Sequence, residues 1–222
     1  VGSGRFDVAI PVGRLDRSIP TESDGEKQQT QGETETNDKD TTDGVKRTGG
    51  LRSYIRGSAL FDGNRLAGLL DDEDTEILLL AMGQFQNGYL SVSDEKGTVT
   101  FLIKETVIPH VQMSLGEAPH AVVTLALFAE IELDTRGNAE ERWDSEPKGQ
   151  LENYIVMELN RVFEQCKLLN SDAMRFGRYA CMQFSSVEAW RDYAWKEKYK
   201  NMTAEFGVTV KLNDRIISSH IE

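Results

Sequence analysis

Residues 57–83 constrain the fold more than any other stretch, because they encode a hairpin that runs straight into a capped helix. Gly57-Ser-Ala-Leu-Phe61 reads as a short strand and Arg65 to Leu70 as its return. Between them, Asp62-Gly63-Asn64 is turn chemistry, since Gly and Asn tolerate positive φ. Asp71 then offers a carboxylate to the free amides of a helix start over 72–82. Asp72, Glu73 and Asp74 set negative charge against the positive end of that helix. Ile77 to Met82 supply apolar surface, and Gly83 suits a left-handed helix end.

Downstream, strands come in runs instead of alternating with helices. Gly88 to Ser93 and Thr98 to Glu105 flank a turn at 94–97, with Val99, Phe101 and Ile103 on one face. Thr106 to Leu115 reads as another strand, with Pro109 at a bulge. After a turn at 116–119, His120 to Leu133 has the apolar content of a central strand. Leu151, Ile155, Leu159, Val162, Cys166 and Leu169 then recur at three- and four-residue steps, the stripe of a long amphipathic helix. Asn170 stands at its end. Ser171-Asp172 opens a second helical segment through Met182, interrupted by Gly177. Residues 187–198 form a third, carrying Trp190 and Trp195, and Glu205 to Ser218 closes as a strand. This order predicts an α+β fold, an antiparallel sheet with the long helix and shorter helices on one face.

The N-terminal part is different. Arg5 to Val12 reads as a short strand within an N-terminal segment, 1–20. Residues 21–44 hold no aliphatic or aromatic side chain and carry eight acids against Lys27 and Lys39. Such a segment buries too little to offset its ordering entropy, so 21–50 is expected to be an acidic disordered loop before a domain over 51–222. The start at Val1 without Met suggests a trimmed fragment. Neither a signal peptide nor a run of about 18 apolar residues is visible. With a net charge of −12, the chain repels nucleic acid phosphates, so no nucleic acid partner is expected. Cys166 and Cys181 are read as free thiols, although a pairing between them stays open.

No catalytic set emerges. His110, His120 and His220 have no ligand partners at metal spacing, and no phosphate-loop, zinc-helix or nucleophile-elbow motif occurs. No cofactor and no metal are therefore expected. Asp71 to Asp74 point in different directions from a helix start, which suits capping better than a cation. Glu130 and Glu132 share a strand face as paired carboxylates would. A carboxylate-dependent extracytoplasmic hydrolase near Glu130 or Asp71 is thus one alternative, and a small-ligand-binding module that needs a deep pocket is another. Trp190, Tyr193, Trp195 and Tyr199 mix with Arg191, Lys196, Lys198 and Lys200. Trp190, Trp195, Lys196, Lys198 and Lys200 make the candidate partner surface.

Three places in order resemble the C subunit of spore nutrient germinant receptors, the Ger(x)C lipoprotein family. Gly57-Ser-Ala-Leu-Phe61 with Arg65-Leu-Ala-Gly68 and Leu70-Asp71 is similar to the family's Gly-Thr-Ala-Val-Phe strand, its Lys-Leu-x-Gly return and its Leu-Asp helix start. Asp172 with Phe176-Gly177 looks like its Asp-x-x-x-Phe-Gly segment. The tryptophan-bearing stretch precedes a final strand, Val208 to Ile217. The chain departs from the pattern at Leu69, where an aromatic often stands, and at Ser218-Ser219-His220, where Gly is common. The resemblance implies the C-terminal domain of a longer lipoprotein whose upstream part bears the signal and lipidated cysteine. It implies a place on the outer face of the spore inner membrane beside the membrane-embedded A and B subunits. It also implies a non-enzymatic role in nutrient-triggered germination. Gly57, Phe61, Gly68, Asp71, Asp172 and Gly177 are then structural motif residues.

Overall fold

The structure is a computed structural model that describes residues 9–16, 52–136 and 146–213. The acidic stretch 21–50, the strand residues 5–8, the end of the predicted last strand and His220 lie outside the described residues. The chain divides into two compact units, Val1–Pro11 with Gly57–Glu222, and Val12–Arg56. Of the second, the described parts are strand ends at 12–16 and 52–56.

Strands β1 (Ala9–Asp16), β2 (Arg52–Asp62) and β3 (Arg65–Leu70) make a three-stranded sheet in that order. β2 and β3 form the predicted hairpin, with Asp62 opposite Arg65 and Gly63 at a φ of 63° in the turn. Helix α1 (Asp72–Ala81) follows at once. Asp71 Oδ1 accepts the amide of Asp74 at 2.9 Å, a side-chain N-cap, and Gly83 lies in the left-handed region.

The second sheet holds β4 (Gly88–Asp94), β5 (Gly97–Thr106), β6 (His110–Ser114), β7 (His120–Asp134) and β8 (Thr203–Leu212). β7 is its spine. Residues 120–124 pair with β6 and also with β8, so those two strands lie on opposite edges of β7. By the same reasoning β5 lies opposite β8. β5 and β6 therefore share one edge of β7, parted at 107–109. The strand expected over 106–115 is corrected to the shorter β6, with Thr106 ending β5 and 107–109 in neither strand, where Pro109 has no amide to donate. Val107 still donates to Ala126 O at 2.8 Å.

The architecture is α+β, as the sequence predicts, with one departure from a purely antiparallel sheet. β7 and β8 run parallel, joined by a crossover whose described residues form four helices. These are α2 (Glu146–Leu168), α3 (Phe176–Cys181), α4 (Val187–Tyr193) and α5 (Trp195–Tyr199). Gly177 does not interrupt a helix but sits in the first turn of α3. The third predicted helix is broken in two at Ala194, which has a φ of 53°.

Burial follows the strand period of two. Ala121, Val123, Leu125, Leu127 and Ala129 face the core, whereas Val122 and Thr124 on the other face are exposed. The α2 stripe of Leu151, Ile155, Leu159, Val162, Phe163 and Cys166 is buried and packs on β8 and α1. Arg161, outside that stripe, reaches α1 and pairs with the buried Asp74 and with Glu158. The hydrogen bond it donates to Asp74 comes first in raising the guanidinium beyond its ordinary value. Cys166 is a free buried thiol, pushed up to about 12 by burial, and Cys181 is free and half-buried.

Candidate functional site

The three motif segments, far apart in sequence, converge on residues 169–172, where α2 ends. Three further sequence steps build this junction.

The hairpin arrives first. Ser171 donates its hydroxyl to Phe61 O at 2.8 Å, and Asn170 Nδ2 donates to Asp62 Oδ2 at 3.1 Å. Asn170 itself takes a φ of 51°, which ends the helix and turns the chain. Gly68 lets Leu169 pack close on the return strand, since a Cβ there would sit 2.6 Å from Leu169 Cδ1 and displace that side chain. Gly57 is needed for two reasons. Its φ is 72°, and a Cβ would lie 2.0 Å from Leu70 O. Phe61 is half-buried and serves the junction through its backbone carbonyl.

Asp172 comes next. It is 2 % exposed. Its carboxylate accepts the amides of Phe176 at 2.8 Å and Gly177 at 2.6 Å, which ties down the start of α3. The Trp195 indole also donates to it, at 3.1 Å. Gly177 permits this close packing, since a Cβ would come within 2.6 Å of Trp195 Nε1 and 2.8 Å of Asp172 Oδ2.

The aromatic and lysine-bearing segment closes the junction. Tyr199 OH donates to Ser171 O at 3.1 Å. Lys196 Nζ donates to Asp62 Oδ1 at 2.6 Å and to Asn170 O at 3.1 Å. The hairpin tip and α5, two segments with no sequence relation, are thus clamped by one ion pair. The Lys196 hydrogen bond leads the causes that hold the Asp62 carboxyl below its usual 3.8.

That shift has a readable sign. A carboxyl whose value is depressed by folding adds stability above its unfolded value and loses it as pH falls through the folded one. The stability gap between wild type and Asp62→Asn should be full at neutral pH and shrink as pH drops below 3.8. It is expected to be under about 1 kcal/mol, because the pair is partly solvated. Urea midpoints of both proteins across this range check it, and a gap that does not change with pH contradicts the ion pair.

The candidate partner surface needs correction. Trp195 is 8 % exposed and bonded to Asp172, so it is a core residue. Trp190 is half-buried, stacked at 6.0 Å on Trp195 and at 6.1 Å on Tyr193. Lys198 lies over the Tyr193 ring and pairs with Glu117 at 2.7 Å, and Lys196 is spent on Asp62. Tyr193 also anchors α4 to the β6–β7 turn, donating its hydroxyl to Gly116 O at 3.0 Å. Of the named group, Lys200 remains on the exposed side.

The carboxylates of the hydrolase alternative are engaged elsewhere. Asp71 caps α1, and Glu130 pairs with Lys104 at 3.1 Å. His120 is bonded to Thr203 at 2.8 Å and His110 to Gln112 at 3.1 Å. Among the described residues, no three His, Cys, Asp or Glu side chains are grouped to hold a metal ion. No described helix is long and apolar enough to cross a membrane.

No curated protein matches the chain. The crystal structure of the GerBC protein shares its fold, with a TM-score of 0.62 at 16 % identity, over 72 % of this chain and 52 % of that one. The chain thus spans about half the length of that structure. The family model described as spore germination B3/GerAC-like, C-terminal, matches residues 56–215, the span that contains the residues of the junction. The chain belongs to the spore germination B3/GerAC-like family, of which it carries the C-terminal domain.

Proposed function

We propose that this domain is a non-enzymatic part of the C subunit of a spore germinant receptor, needed for nutrient-triggered germination and acting through protein–protein contacts. The family match over 56–215 carries this reading. In it, residues 51–222 form the working domain, and an upstream lipid anchor holds the parent protein on the outer face of the spore inner membrane. The partners are the membrane-embedded A and B subunits. The side chains of the junction support a scaffold role, because most of their polar atoms, Asn170 Oδ1 excepted, are spent on one another.

Arg191 and Lys200 are the exposed cations of the aromatic segment and take the place of the buried Trp195 in the contact face. Charge reversal at both, introduced into the full-length subunit in spores, should impair the nutrient response. The melting temperature of the purified domain should not change, since neither side chain is buried. Normal germination of such spores rules out that face. Turnover of an ester, glycoside or peptide by the purified domain at enzyme-like rates overturns the non-enzymatic reading.

A further inference from the structure

A cavity of about 300 Å³ opens between the end of α1, the break at 107–109 and α3. Its floor is apolar and includes Val123 and Phe206, both buried. Ile108 stands at its rim, 81 % exposed. Arg175, Arg178 and Tyr179 also line it, and no Asp or Glu does. The chain as a whole carries −12, so a lining with two cations and no acid runs against the composition.

Both guanidiniums are exposed and neither has an ion-pair partner among the described residues. Elsewhere in the domain, Arg136, Arg161, Lys104, Lys167, Lys196 and Lys198 are all paired with carboxylates. Arg175 also holds a φ of 65° and a ψ of 32° in the left-handed region, where glycine would be easier. Strain at a pocket residue points to a use for its side chain. The first amides of α3 are already capped by Asp172, so an anion here would meet the guanidiniums and not the helix end.

We infer that this cavity binds a small amphipathic anion, an apolar body on the Val123–Phe206 floor with one carboxylate held at the mouth by Arg175 and Arg178. The volume lies at the small end of ligand pockets, which suits a short aliphatic chain and not a large cofactor. Planar guanidiniums match a carboxylate in a bidentate manner. The site is separate from the contact face near Lys200, so either reading can fail without the other.

Octanoate is the probe, titrated calorimetrically into the 222-residue chain, with octan-1-ol and octylamine as neutral and cationic controls. Octanoate should saturate one site, and the two controls should bind more weakly. Arg178→Gln should weaken octanoate binding roughly tenfold or more, the loss of one charge-assisted hydrogen bond. Arg175→Gly should do the same while relieving the left-handed backbone, so the fold is kept. Ile108→Glu places a repelling carboxylate on an exposed rim position and should abolish binding without a change in melting temperature. No saturable octanoate binding, equal binding of octylamine, or full affinity in the three folded variants overturns the inference. Binding to phosphatidylglycerol vesicles without binding to octanoate also overturns it, in favour of a lipid surface.

Discussion

Asp172→Ala should lower the unfolding free energy by on the order of 3–5 kcal/mol, the usual cost of leaving several buried donors without their charged acceptor. Phe176 N, Gly177 N and the Trp195 indole all donate to this carboxylate. Alanine leaves the three of them without that acceptor, in a site 2 % exposed that water cannot easily re-enter. Asp172→Asn keeps the shape and part of the acceptor capacity, so it should cost clearly less. Urea unfolding followed by circular dichroism measures both. A loss below about 1 kcal/mol for the alanine variant would show that the three donors find other partners.

Phe163→Ala should cost a similar amount, about 3–5 kcal/mol, through transfer and cavity terms together. Phe163 is 2 % exposed and meets three rings edge-on: Phe176 at 5.7 Å, Phe206 at 6.1 Å and Tyr199 at 6.5 Å. One side chain of α2 thus joins α3, α5 and β8. Phe163→Leu should recover much of the loss, because it refills volume without restoring the ring pairs. Equal losses for both variants would mean that ring geometry, not volume, dominates.

Elements with a strong local period were readable from the sequence. The hairpin, α1 with its Asp71 cap, β4, β5 and the α2 stripe follow from alternation, turn residues and three- and four-residue steps. Phe163 also fits these steps, four after Leu159 and three before Cys166, but Val162 already filled that turn of the stripe. The direction of β8 was not readable, since a strand's local pattern is the same in a parallel or antiparallel pair. The break at Ala194 was hidden too, because alanine favours helices and gives no sign of a left-handed backbone. Trp195 was misplaced for a related reason. Arg191 before it and Lys196, Lys198 and Lys200 after it suggest a surface, yet the break turns the indole inward to Asp172. Arg175 and Arg178 carried no signal of their own, since only the fold brings them to the break at 107–109.

The parallel pairing of β7 with β8 also sets an order of assembly. Hairpins β4–β5 and β6–β7 close short loops, whereas His120 meets Thr203 across 83 residues. Non-local pairs of this kind repay their loop closure late and slow the search for the native state. As synthesis proceeds, helices α2 to α5 emerge before the strand on which α2 rests. Until β8 docks, one edge of β7 from His120 to Ala129 offers bare amides and carbonyls to any extended chain nearby. The growing domain thus passes through an interval in which its own last strand competes with neighbours for the same edge.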